Sequence, residues 1–204
     1  MNSTQRTTDP AAWWRVPCFA SERVAVSGDL DTSDVGAGRA QLARWVAAGI
    51  TDIVDLRGEW TDEEFVDRYA PGVIYHWLGT HDDGSGQSDD WFESGVEIAL
   101  QALADPVRKV MIHCHMGVNR APSMAFAVLL ALGVDAVEAL EAIRNSRPIA
   151  AALYAQDAVA WWHRHAGSPA TATRADRRRV RTWMAAHPVD VYWIIDRIRL
   201  AEVA

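Results

Sequence analysis

The stretch Lys109 to Met124, KVMIHCHMGVNRAPSM, constrains this chain more than any other. Val110-Met111-Ile112 is a short, bounded apolar run, the pattern of a buried strand. His113 to Arg120 holds a cysteine, a glycine and an arginine and reads as a loop. From Ala121 the sequence turns apolar and helical (APSMAFAVLLAL) and stops at Gly133, a typical residue just past a helix C-terminus. A strand, a tight loop and a helix N-terminus make an anion site, because the first helical N–H groups have no partner within the helix and the dipole is positive there.

The loop residues suit that task. Successive amides can form a nest around a phosphate-sized anion. Gly117 permits a turn that a Cβ would oppose, and Arg120 offers a planar fork that matches two phosphate oxygens. Cys114 stands at the loop entrance, where the positive surroundings are expected to lower its pKa and favour the nucleophilic thiolate. A lone cysteine is more often a small buried apolar residue and a lone arginine a solvated charge; their conjunction with Gly117 between strand and helix favours the functional reading. Zinc at His113-Cys114-His115 is a weak reading, since adjacent residues on an extended strand point to opposite faces and no second ligand pair has matching spacing.

The pattern H-C-x-x-G-x-x-R over His113 to Arg120 resembles the signature loop of the cysteine-dependent protein tyrosine phosphatases, and its surroundings are most similar to the small dual-specificity branch. The resemblance covers about residues 20 to 165. It implies an α/β fold, with a central mixed, mainly parallel sheet of about four to five strands flanked by helices. It implies that Cys114 attacks phosphorus to form a phosphocysteine, that Arg120 and the amides of His115, Met116, Gly117, Val118, Asn119 and Arg120 bind the phosphoryl oxygens, and that an aspartate elsewhere protonates the leaving oxygen. The family's acid sits on a loop matching Gly79 to Asp90 here (GTHDDGSGQSDD); Asp82, 32 residues before Cys114, fits the usual interval, with Asp83 as the alternative. His113 is expected to order the loop by hydrogen bonding from behind. Two positions depart from the family: Ala121 replaces the Ser or Thr that follows the arginine, with Ser123 as partial substitute, and Asn119 stands where Ser is common. No metal or cofactor is implied.

Composition bounds the rest. A chain of 204 residues, half hydrophobic and 23% charged, is an ordinary globular protein with room for a proper core. A net charge of −7 argues against general nucleic-acid binding. Cys18 and Cys114 give no disulfide framework, and a catalytic thiol needs a reducing compartment, so the cytoplasm is expected. No apolar run would span a bilayer, and MNSTQRTTDP has no secretory apolar segment. A single lysine beside abundant arginine and alanine suggests, by association, a GC-rich bacterial genome.

In chain order, an arm (1–19), loose over 1–12, precedes a phosphatase-like domain (20–166) and an Arg-rich helical extension (167–204) packed on or following it. The pattern predicts an edge strand over Arg23–Val26, a helix over Gln41–Ala48 with Leu42, Trp45 and Val46 on one face, and a buried central strand over Ile50–Leu56. Arg57 reads as one half of a structural ion pair. Thr61 and Glu64 form a capping box opening a short acidic helix; a strand follows over Val73–Leu78. Further helices are expected over Trp91–Ala104, Val134–Arg144 and Ile149–His165, the last anchored by Leu153, Val159 and Trp162. Asp89 and Asp90 stabilise the first of these at its N-terminus. Ser168–Thr173 reads as a linker, the arginines of Arg174–Ala186 as a solvated helix face, and Val189–Leu200 as a closing amphipathic helix. The expected partner is a phosphorylated protein or small phosphate monoester, with phosphotyrosine ahead of phosphoserine and phosphothreonine; the alternative is a regulatory phosphate-binding module that turns over poorly. Oligomeric state is not legible.

Overall fold

The structure, a computed structural model, describes residues 9–203; the beginning of the expected loose arm lies outside them. It is an α/β fold: five strands form one mixed sheet, with eight helices among the described residues. The strands are β1 (Cys18–Phe19), β2 (Val24–Ser27), β3 (Asp52–Arg57), β4 (Ile74–Thr80) and β5 (Val110–His113). The helices are α1 (Val35–Ala47), α2 (Glu63–Tyr69), α3 (Asp89–Leu103), α4 (Arg120–Ala131), α5 (Ala136–Ser146), α6 (Ala155–His165), α7 (Ala170–Ala186) and α8 (Val191–Glu202).

Sheet order is β1-β2-β5-β3-β4, with β1 antiparallel to β2 and every other pair parallel. β5 therefore lies between β2 and β3, pairing Val110 with both Val24 and Asp52. Strand alternation sends the two faces to different cores. Val110 and Ile112 of β5, Val24 and Val26 of β2, and Val54 and Leu56 of β3 join the core under α3, α4, α5 and α6. Met111, Ala25 and Ile53 join the opposite core with Leu42 and Trp45 of α1 and Val66 of α2. The parallel strands all end on one side, so the segments after β2, β3, β4 and β5 meet along one rim, the usual ligand side of such sheets.

Several expectations need correction. β2 is not an edge: the two-residue β1 covers it, and β2 is buried throughout. Helix α1 begins at Val35, earlier than its apolar spacing indicated, because Asp34 caps it by accepting from the N–H groups of Gly36 and Ala37; Val46 is exposed. The capping box at Thr61 does not form. Helix α2 starts at Glu63 without a side-chain cap, since Asp62 is drawn inward to Arg57 at 2.6 Å. Residues 149–154 are not helical, for a reason given below, and α7 already begins at Ala170 in the expected linker. The end of the arm is ordered too: Asp9 caps a 3-10 turn at Pro10–Ala12 and pairs with Arg197 at 2.9 Å. No helix among the described residues is long and apolar enough to cross a membrane.

Helices α7 and α8 use different surfaces. Val180 and Trp183 of α7 enter the main core. Ile194 and Ile198 of α8, one turn apart, instead pack with Trp14 of the arm, Val118 of the loop, Ile149 and Ala151.

Candidate active site

The loop between β5 and α4 is shaped by what holds its carbonyls. The oxygen of His115 accepts from the Asp29 N–H at 2.9 Å and the Trp14 indole at 3.1 Å. Those of Met116 and Gly117 accept from Arg147, at 3.0 and 2.7 Å. Val118 accepts from the Ala151 N–H at 2.7 Å, and Asn119 from the Ser123 N–H at 2.9 Å. In a trans peptide the N–H points opposite to its carbonyl. Five carbonyls drawn outward therefore turn the N–H groups of Met116 to Arg120 toward the loop interior, a concave row of the kind that can hold an anion. Gly117 sits at φ +64°, where a Cβ would come 2.4 Å from Arg147 Nη2 and 2.6 Å from the Ser27 oxygen. Glycine is required there on both counts.

Cys114 and Arg120 share a cleft of about 470 Å³ with Asp82, Asn119, Tyr154 and Asp157. His115, Met116 and Val118 also line it. Asp82 faces the cleft: its Oδ1 accepts from Asn119 Nδ2 and from the Tyr154 hydroxyl, each at 2.7 Å, and its Oδ2 lies 3.6 Å from Arg120 Nε. Asp83 does not line the cleft. It is exposed and bonded to Ser85, whose hydroxyl and N–H hold its carboxyl below the usual range.

Arg120 is clamped at its outer end. Nη1 and Nη2 donate to the two oxygens of Glu59 at 2.8 and 3.0 Å, and Nη1 also donates to the Thr80 carbonyl at 2.8 Å. Nε is buried without a hydrogen-bond partner, a free donor beside the cleft. Burial raises the Glu59 carboxyl, but the Arg120 bonds outweigh it and leave the group below its ordinary range. Cys114 departs from expectation. Burial pushes its thiol up; Arg120 and the N–H groups of Ala121 and Gly117 pull it down, while Asp82 raises it, and the net direction is upward. The physical reason is burial of the sulfur, which outweighs the Arg120 charge and the two N–H groups, with Asp82 adding to the push.

The residues behind the loop differ in role from the expectation. His113 is fully buried and neither ring nitrogen has a hydrogen-bond partner, so the bond expected from it to the loop is not formed. It packs on Trp45, with ring centroids 5.7 Å apart. Ser123 donates to Asn119 Oδ1 at 3.3 Å and accepts from the Tyr154 N–H at 3.2 Å, which commits its hydroxyl to these partners. These bonds, with Asn119 Oδ1 accepting from the Leu153 N–H at 2.8 Å, also explain why 149–154 is irregular: its amides are spent on the loop. Leu153 is consequently exposed on the cleft and anchors no helix. Arg57 is the structural ion pair anticipated, bonded to Asp55 and Asp62 at 2.6 Å each and 3.7 Å from Asp29. Asp55, Asp62 and His113 bring ligand atoms within 4.8 Å of one another, but Arg57 already compensates the two carboxylates.

Glu59, Tyr154 and Asp157 were not foreseen as site residues. Glu59 carries one signal, its place just past the end of β3 on the ligand rim; the others arrive from a distant segment.

No family model matches the chain. It is similar to dual specificity protein phosphatase 26 of Homo sapiens and of Mus musculus, 26% identical to each over 139 residues, covering 66% of this chain. The chain spans 63% of the length of these relatives. Among solved structures it resembles the active form of Tk-PTP (TM-score 0.59, 22% identity, 74% of this chain and 98% of that one). It also resembles PTPMT1 (TM-score 0.54, 20% identity, 71% and 97%) and human tyrosine phosphatase-like serine/threonine/tyrosine-interacting protein (TM-score 0.54, 13% identity, 75% and 97%). A mixed sheet that sets a Cys-x5-Arg loop at the head of α4, together with these likenesses, gives the chain the fold of the cysteine-based, dual-specificity-phosphatase-like proteins.

Proposed function

We propose that the protein hydrolyses phosphate monoesters through a phosphocysteine, acting on phosphotyrosine in proteins and, with lower preference, on phosphoserine and phosphothreonine. The observation that supports this reading is the outward capture of five successive carbonyls, which turns the N–H groups of Met116 to Arg120 toward the interior of the loop that begins at Cys114. The Cys114 thiolate attacks phosphorus while the bond to the leaving oxygen breaks. Asp82 gives that oxygen its proton. The Asp82 carboxylate then takes a proton from water, which attacks phosphorus and releases the Cys114 thiolate. The amides and Arg120 Nε stabilise the equatorial oxygens, so the work is mainly positioning and electrostatics. The unpaired Cys18 and Cys114 suit a reducing compartment, the cytoplasm.

One observation favours a second reading, a phosphate-binding module with slow turnover: the resting thiol is pushed up while Glu59 and Asp82 occupy the surroundings of Arg120. Hydrolysis of p-nitrophenyl phosphate without metal separates the two. The wild type should turn over with vanadate inhibition, and Cys114→Ser should be inactive. Asp82→Asn should lose about 10²- to 10⁴-fold in kcat for esters with poor leaving groups. Asp83→Asn should retain near wild-type rates. A wild type as inert as Cys114→Ser that still binds vanadate would establish the second reading.

A further inference from the structure

The wall of the cleft opposite in sequence to its catalytic loop comes from α8, in the extension whose role the sequence left open. Val191 and Ile195, one turn apart and half-buried, line the cleft with Cys114, and Leu153 adds an exposed apolar surface. The helix is fixed to the machinery it walls. Ile194 and Ile198 are buried with Val118 of the loop, and Glu202 Oε1 lies 3.4 Å from Nε2 of His115, whose Nδ1 meets Asp29 at 2.7 Å. The charges of the cleft are lopsided. Asp82 and Asp157 are carboxylates, Arg120 is its one arginine, and Glu59 already holds that guanidinium. The arginines of α7 do not supply more: Arg174 and Arg177 border a separate groove with His163, and Arg179 pairs with Asp135 and Asp176.

We infer that α8 is a specificity element: Val191 and Ile195, facing the same cleft as Leu153, select a singly phosphorylated ester with a flat aromatic leaving group over alkyl or multiply phosphorylated esters. The inference rests on the phosphate-site reading above and deepens it. An aromatic ring buries apolar area against such a wall that a serine or threonine methylene cannot reach. A second or third phosphate would enter a cleft with two carboxylates and no spare guanidinium, and would be repelled.

Binding of benzylphosphonate and ethylphosphonate, measured by calorimetry, tests this independently of turnover. The wild type should bind the benzyl compound about tenfold more tightly, the scale of one to two buried methylene groups. Val191→Ala/Ile195→Ala should close that gap. Tyr192→Ala, at an 86% exposed position on the same helix, should leave it unchanged. Should the double variant fail to fold by circular dichroism, Leu153→Ala should narrow the gap from the other wall. Equal affinities in the wild type, a gap that survives the α8 and Leu153 changes, or tighter binding of inositol trisphosphate than of benzylphosphonate would overturn the inference and leave the phosphate site standing. Failure of the wild type to bind either phosphonate would overturn both.

Discussion

Glu59 grips Arg120 with both carboxylate oxygens, and in doing so it both positions the guanidinium and spends part of its charge. These two effects have opposite consequences for Cys114, and substitution separates them. Glu59→Gln keeps a side chain of the same shape but leaves the guanidinium charge uncompensated. The rate of alkylation of Cys114 by iodoacetamide, followed against pH, should then rise at lower pH than in the wild type. The phosphate-monoester KM should rise as well, because an amide holds the fork less firmly than a carboxylate. An unchanged alkylation profile would mean that Glu59 does not govern the thiol. The place of the loop between β5 and α4 was legible in the sequence because its residues are contiguous and bounded by an apolar strand and an apolar helix. Glu59, Tyr154 and Asp157 were not, since a lone acid or tyrosine carries no spacing signal until the fold brings it to the rim. The upward push on Cys114 was illegible for a related reason: it depends first on how deeply the fold buries the sulfur, and then on Asp82 arriving beside it.

Elements meet at Arg147, in the Ser146-Arg147-Pro148 turn that ends α5. Its guanidinium is fully buried and donates to the carbonyls of Trp13, Trp14, Val16, Met116 and Gly117 at 2.7 to 3.1 Å. One side chain thus fastens the N-terminal arm, the phosphate loop and the end of α5. Arg147→Met should destabilise the fold by about 3 kcal/mol or more in urea denaturation, since it strands several buried acceptors. Arg147→Lys should recover only part of this, because a point-like ammonium cannot reach the same set. Equal stability of Arg147→Met and the wild type would remove this joint from the account. Strands and long helices were read well where burial imposed a clear period, as in β3, β5, α3 and α4. The failures occurred where a side-chain contact overrode the period: Asp34 starting α1 early, Asp62 leaving its cap for Arg57, and Asn119 and Ser123 drawing the amides of 149–154 out of a helix.

At the scale of the whole molecule, buried His113 couples stability to pH. Burial holds it below its ordinary value, so it stays neutral in the native state while the unfolded chain protonates below about pH 6.5. The unfolded state then binds more protons, and unfolding free energy falls as pH drops through that window. His113→Leu should flatten this slope by up to about 1.4 kcal/mol per pH unit between pH 6.5 and 5, read as the difference from wild type in urea titrations. Parallel slopes would show that His113 titrates alike in both states. The position of β5 has a consequence of another kind, for the order of assembly. Before it arrives, β1–β2 and β3–β4 are two separate pairs with nothing between them, too small to persist alone. Because β5 pairs with both neighbours at long sequence range, closing the sheet carries the largest loop-closure cost of the strand pairings here. The strand that joins the two pairs is the one that carries Cys114 at its end, so the closed sheet and the position of this sulfur depend on the same four residues.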